Sequence, residues 1–234
     1  MTRLVAFDLD GVLYSAEPFL GAAYREAIGN VNARRAGSFA RVPSTREILD
    51  HVGWPVPVIL QRLFPTIDPV AVDLLHGETL PVICRRVHRR EGHLFANVPA
   101  TLAALRHAGY TLAVASNGRR RYVESVLQAH AIGTYFSEPI CVDQGSGRLE
   151  KADLLRAYLQ RHQITAARLI MVGDRASDVE AAAAVGCAFI GCDYGHGHRG
   201  EIERAGPVVS AFDQLPAQIG ALFASTARPA SVAR

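Results

Sequence analysis

Leu4-Val-Ala-Phe7-Asp8-Leu9-Asp10-Gly11 decides the fold. Four apolar residues run without interruption into two carboxylates and a glycine. A short unbroken apolar run reads as a strand buried on both faces, with the chain turning at Gly11. The same pattern recurs downstream. Residues 111–115 (TLAVA) lead into Ser116-Asn117-Gly118, residues 169–172 (LIMV) into Gly173-Asp174, and residues 187–190 into Gly191. Residues 139–142 and 207–209 are weaker strand candidates. Helical patterns alternate with these runs at 100–107, 121–130, 152–162 and 177–185, the last stopping at Gly186. Strands alternating with helices predict an α/β fold, a Rossmann-like parallel sheet covered on both faces.

One stretch breaks the rhythm. From about 16 to 92 no strand pattern is present. Residues 17–36 read as a helix, Ser44-Thr45-Arg46-Glu47 as a capping box opening a short helix to His51, and 56–64 and 68–90 as two more helices, the last capped by Asp68-Pro69. The expected organisation is therefore an α/β core of residues 1–15 and 92–223, an inserted all-helical module at 16–91, and a small, polar, fraying tail at 224–234.

Composition narrows the function classes. The 234 residues are 49% hydrophobic and 20% charged, which is ordinary for a folded protein. The absence of a long apolar run speaks against a membrane partner. The carboxylates at positions 8 and 10 oppose a signal peptide, so a cytoplasmic location is expected. Four scattered cysteines without a CxxC pair fit free thiols in a reducing compartment. The net charge is only +3, and the one dense basic cluster, Arg85, Arg86, Arg89 and Arg90, has the spacing of a solvated helix face without interleaved aromatics; no nucleic-acid partner is expected. Of 25 cationic side chains, Lys151 alone is lysine. A compact ammonium and a planar guanidinium fork are not interchangeable.

Ligands of open parallel sheets bind outside the carboxyl ends of the strands. Asp8, Asp10, Ser116, Asn117, Asp174 and Asp178 are therefore expected to converge. Taken alone, Asp174 and Asp178 read equally as caps of the helix that follows. With Asp8 and Asp10 at a second strand end, four carboxylates and no histidine fit a hard cation with oxygen ligands, Mg²⁺ before Zn²⁺. Ser116, with Asn117 and Gly118 near the start of the next helix, reads as a phosphate seat, and Lys151 as a point charge reaching it; a turn residue and a surface cation are the alternatives. Cys192, Asp193, His196 and His198 are read as part of a glycine-rich loop rather than a zinc cluster, and Gly145-Ser146-Gly147 as a turn.

The segments VAFDLDGVLY, VASNG, RLEKADLL and VGDRASDVEAA, in this order and spacing, resemble the four motifs of the haloacid-dehalogenase superfamily of phosphohydrolases. The stretch after them, GCDYGHGHRGEIERAGPVVSAFDQL, is similar to the C-terminal end of phosphoglycolate-phosphatase-like members. The helical insert stands where that group carries its C1 cap. The resemblance implies a Mg²⁺-dependent phosphomonoester phosphatase acting on a small phosphorylated metabolite. Asp8 would be the nucleophile and form an aspartyl-phosphate, and Asp10 the general acid and base. Mg²⁺ would be bound by Asp8, the main-chain carbonyl of Asp10, and Asp174, with Asp178 as a direct or outer carboxylate. Ser116 and Lys151 would hold the phosphoryl oxygens, aided by main-chain donors of Leu9 and Asn117. Gly118 completes the expected phosphate site, and Arg119, just after it, reads equally as a phosphate or substrate contact and as a solvated helix start.

Three departures stand beside the match: Val12 where many members have Thr, Ser15-Ala16 in place of an acidic-Ser pair, and Ala152 where Pro is common. None removes a catalytic group. A sugar-phosphate mutase would keep all four motifs, and a non-catalytic phosphate-binding protein would have lost Asp8 or Asp10. Asp10 argues against the dehalogenase branch, which has no need of that acid. Trp54, Arg46 and Tyr14 are candidates to face the leaving group. A monomer or a homodimer is equally compatible with the sequence.

Overall fold

The structure is a computed structural model that describes residues 2–137, 140–141 and 150–226. Its elements are β1 (Leu4–Phe7), β2 (Tyr14–Ser15), α1 (Glu17–Arg34), α2 (Thr45–Leu49), α3 (Val56–Leu63), α4 (Pro69–His88), β3 (His93–Leu94), α5 (Val98–His107), β4 (Thr111–Ser116), α6 (Arg120–Ala129), β5 (Ile140–Cys141), α7 (Lys151–His162), β6 (Leu169–Gly173), α8 (Ala176–Val185), β7 (Ala188–Cys192), α9 (Arg199–Ile202), β8 (Val208–Val209) and α10 (Leu215–Thr226). Six strands form one sheet in the order β5-β4-β1-β6-β7-β8, every pair parallel.

Strand alternation divides the core. Val5, Phe7, Leu112, Val114, Ile170 and Val172 face one side, where α5, α6 and α10 supply Leu102, Val126 and Ile219. Leu4, Ala6, Ala113, Ala115 and Met171 face the other, under Leu155 and Tyr158 of α7 and Ala181 of α8. The register pairs Phe7 with both Val114 and Val172, so the residues that follow β1, β4 and β6 emerge at one edge of the sheet.

Helices α1 to α4 form the cap. On α1, Phe19, Ala23, Ala27 and Val31 recur at four-residue spacing and are buried against the cap's interior, which includes Leu75 and Val82 of α4. The capping box at α2 is present: Ser44 Oγ accepts from Glu47 N–H at 3.2 Å and Glu47 accepts from Ser44 N–H at 2.8 Å. Part of the basic cluster is not a free solvated face, because Arg85 and Arg86 pair with Glu26 of α1, and Arg86 also with Glu91. Where the chain enters and leaves the cap, β2 and β3 pair antiparallel, Tyr14 with Leu94 and Ser15 with His93. These two-residue strands carry too little pattern for a sequence to announce.

The tail expectation needs correction at its start. Residues 224–226 continue α10 instead of fraying, because Phe223 stacks on Tyr110 at 5.6 Å and holds that end of the helix on the core. Residues 227–234, and the turn expected at Gly145-Ser146-Gly147, lie outside the described residues. No helix of the described chain is long and apolar enough to cross a membrane.

Candidate active site

Strand β1 delivers Asp8 to the sheet edge, where its N–H bonds Val172 O at 2.9 Å. The chain then turns tightly at Gly11, whose φ is +82°. A β-carbon there would be strained and would collide with the Asp174 carboxylate, so glycine is required on both counts. Asp8 Oδ1 accepts from Leu9 N–H at 2.8 Å. The main-chain donor of Leu9 expected for phosphate is thus turned onto Asp8 itself.

Asp174 leaves β6 and Asp178 sits in the first turn of α8. Oxygens of Asp8, Asp174 and Asp178, all buried, lie within 4.8 Å of one another. Asp178 serves both readings that the sequence leaves open. One oxygen caps α8 by accepting from Asp174 N–H at 3.1 Å and Arg175 N–H at 3.0 Å; the other accepts from Lys151. Lys151, first residue of α7, also places Nζ 3.0 Å from Asp8 Oδ2, as an ion pair without hydrogen-bond geometry. The chain's single lysine is therefore a buried ammonium between two carboxylates. Burial opposes its charge, but Asp178 and Asp8 hold its pKa above the ordinary lysine value.

The same enclosure acts oppositely on the acids. Burial, then the charges of neighbouring carboxylates, drives Asp8 well above the usual carboxylate range, with Lys151 pulling back. Asp174 is pushed up to about 7 by burial and by Asp178. Its Oδ2 accepts from His196 N–H at 2.8 Å and Gly197 N–H at 3.1 Å, while Oδ1 has no partner. Gly197 passes so close to the Asp174 main chain that any side chain there would overlap it. Two buried carboxylate oxygens without a hydrogen-bond donor, Asp8 Oδ2 and Asp174 Oδ1, among oxygen-only ligands, fit a hard divalent cation. Among the described residues no Cys/His group of this kind occurs. Cys192 is buried beneath Tyr194, and His196 contributes its main-chain N–H.

The Asp10 side chain stands outside the acidic trio and accepts from Tyr122 Oη at 2.5 Å. Burial raises it to about 6 against the opposing Tyr122 hydrogen bond and Lys151 charge. Ser116 Oγ, at the end of β4, accepts from Gly118 N–H at 3.0 Å. The Asn117 side chain turns to the cap, donating to Gly53 O at 2.8 Å. Arg119 likewise reaches α4, donating to His76 O at 2.7 Å and Thr79 Oγ1 at 2.9 Å.

A cavity of about 770 Å³, its open mouth included, rises from Asp8, Asp10 and Ser116 to a roof made by the cap. Of the three candidates for the leaving-group end, Trp54 lines it. Arg46 does not; it pairs with Asp50 at 2.9 Å with most of its side chain exposed. Tyr14 does not either, being fully buried against His130.

Two residues escaped the sequence reading. Arg175 lies inside the VGDRASD motif, yet its guanidinium leaves the core, donating from Nε to Val52 O at 2.9 Å and from Nη2 to Leu49 O at 2.6 Å. An arginine between two motif acids was the available signal. Tyr122 had none, since its partner lies 112 residues away.

The family model for haloacid dehalogenase-like hydrolases matches residues 2–186. The phosphoglycolate phosphatase of Vibrio vulnificus strain YJ016 is 32% identical over 211 residues, 88% of this chain and 90% of that protein. That of Escherichia coli K12 is 29% identical, covering 92% of each. The crystal structure of a predicted phosphoglycolate phosphatase from Haemophilus somnus superposes with a TM-score of 0.81 at 23% identity, over 92% of this chain and 97% of that one. CbbY from Rhodobacter sphaeroides in complex with phosphate gives 0.73 at 20% identity, over 92% and 96%; at these identities the two structures speak for the fold. With the motifs, the acidic trio and the helical cap on one chain, this protein belongs to the haloacid dehalogenase-like hydrolase family, as one of its phosphatases.

Proposed function

We propose that the enzyme hydrolyses a small phosphomonoester with Mg²⁺ through an aspartyl-phosphate on Asp8. One observation carries the reading. Asp8 lies at the cavity floor with one oxygen fixed by Leu9 N–H and the other beside Lys151, without a hydrogen bond. A carboxylate with one oxygen fixed by a main-chain donor and the other beside an ammonium is placed to attack phosphorus.

The Asp8 oxygen bonds to phosphorus as the ester oxygen departs, and Asp10 gives that oxygen its proton. Asp10 then accepts a proton from the water that attacks phosphorus, which releases inorganic phosphate and restores Asp8. A pKa near 6 lets Asp10 both give and take that proton near neutrality. Lys151 and Ser116 are assigned to the transferring oxygens. Asp8 and Asp174, with the Asp10 carbonyl and Asp178, are assigned to Mg²⁺, which when bound offsets the repulsion between carboxylates and phosphate. Asn117, Gly118 and Arg119 border the same space; Asn117 and Arg119 also tie it to the cap.

The test is phosphate release from a panel of phosphomonoesters with and without Mg²⁺, on the wild type and on Asp8→Asn. Activity that requires Mg²⁺ and falls by about 10⁴-fold in a folded Asp8→Asn supports the reading. Persistent turnover by that variant rejects the nucleophile. An isomerised ester without free phosphate identifies a mutase.

A further inference from the structure

One turn of the cap is gripped from the core. Residues 49–53 lie at the end of α2, and three of their carbonyls accept from core side chains. Arg175 donates from Nη2 to Leu49 O at 2.6 Å and from Nε to Val52 O at 2.9 Å, and Asn117 donates to Gly53 O at 2.8 Å. Ile48, Leu49 and Trp54 line the chamber at this turn, and with Leu20, Leu80 and Ile83 they form its apolar roof. Where the turn sits therefore decides where the roof sits above Asp8.

Arg175 stands in the chain between two members of the acidic trio. Its N–H is bound to Asp178 Oδ2 at 3.0 Å, and the next N–H, that of Ala176, to Glu201 at 3.0 Å. The main chain of the loop is thereby fastened to Asp178. The side chain is equally confined. The residue is 6% exposed, and its stem runs between Gly53 and Gly197. A β-carbon would lie 3.0 Å from Arg175 Cγ at the first and 3.2 Å from Cδ at the second. Gly53 also has a φ of +102°, where a side chain is strained. A planar fork reaching two carbonyls passes on a displacement that a flexible ammonium would absorb.

Carboxylates whose oxygens lie within 4.8 Å of one another repel when ionised, and a shared cation removes that repulsion. A shift of Asp174 or Asp178 moves the Arg175 main chain between them. We propose that Arg175 is a positioning residue that couples the acidic trio to the cap, so that the turn at 49–53 is held more firmly when Asp8, Asp174 and Asp178 share a cation. This rests on the Mg²⁺ assignment of the proposed function and adds a route from that site to the roof.

The experiment is amide hydrogen exchange of the full chain, without and with saturating Mg²⁺, read beside the emission of Trp54, the chain's one tryptophan. In the wild type, Mg²⁺ should slow exchange at residues 49–54 by about threefold or more and shift the Trp54 emission, with α5, remote from the cap, as the unchanged control. In Arg175→Lys that metal-dependent difference should vanish. Calorimetry should place Mg²⁺ affinity within about tenfold of wild type, because the trio is intact and reciprocity limits the loss to the coupling factor. Gly53→Ala presses on the Arg175 stem from the cap side and should also abolish the difference; it decides if Arg175→Lys fails to fold. A purely structural role for Arg175 would speed exchange equally in both metal states and leave the difference in place. A difference that persists in the folded variants, or none in Mg²⁺-saturated wild type, overturns the coupling and leaves the phosphatase reading standing. Wild type that binds no Mg²⁺ overturns the assignment of the trio and this inference with it.

Discussion

The floor and the roof of the cavity are built on opposite principles. The floor joins β1, β4, β6, α7 and α8 through buried charges: Lys151 between Asp8 and Asp178, and Asp174 under the main chain of residues 196 and 197. Each group there has a partner whose identity matters, because an uncompensated buried charge is expensive. The roof is an apolar surface, and neighbouring aliphatic residues substitute for one another at small cost. Under the proposed function the difference separates chemistry from specificity, with a narrow seam of directional bonds between them. That seam is Asn117 to Gly53, Arg119 to α4, and Arg175 to Leu49 and Val52.

Four substitutions sharpen or break this division. On the floor, Lys151→Met leaves Asp8 and Asp178 buried without their cation. It should remove 10³-fold or more of kcat/KM and cost about 3–5 kcal/mol in urea unfolding. A loss under tenfold would mean that the floor tolerates change as the roof does. At the seam, Arg175→Lys keeps the charge but not the fork that reaches two carbonyls. A roughly tenfold loss of kcat/KM is expected with a melting shift of a few degrees, and wild-type kinetics would show that the roof holds its place without this bond. Tyr122→Phe is subtler. The Tyr122 hydrogen bond lowers the Asp10 pKa, so its loss raises it. In the proposed mechanism Asp10 is protonated for the first step, so kcat/KM is expected to fall as pH rises through its pKa. In Tyr122→Phe that fall should move to higher pH; a move to lower pH would reject Asp10 as the acid. At the margin, Arg46→Ala removes an exposed pair worth under about 1 kcal/mol and should change kcat/KM by less than twofold. A large effect would extend the site beyond the chamber.

The floor was legible in the sequence because Asp8 and Asp174 follow unbroken apolar strand runs, while Lys151 and Asp178 open the helices α7 and α8. Asp8, Asp174, Asp178 and Lys151 come together in this way although they are far apart in the chain. The seam was not legible. Arg175 finds its acceptors 123 and 126 residues away, and Asn117 finds Gly53 at 64. These bonds depend on how the cap lies on the core, which no local pattern records. The roof was legible only as helices. Trp54 lines the cavity, whereas Tyr14 does not, because the β2–β3 ladder turns it away to pack on His130.

Lys151 has a practical corollary. The sequence holds a single ε-amine, and it is buried between Asp8 and Asp178. Apart from the α-amino group, acylating reagents therefore have one target, and tagging it requires the enclosure to open. The mass increment at that residue, followed over time, becomes a clock for breathing of the enclosure, and protection of the tag site by bound ligand becomes an occupancy assay that needs no engineered label.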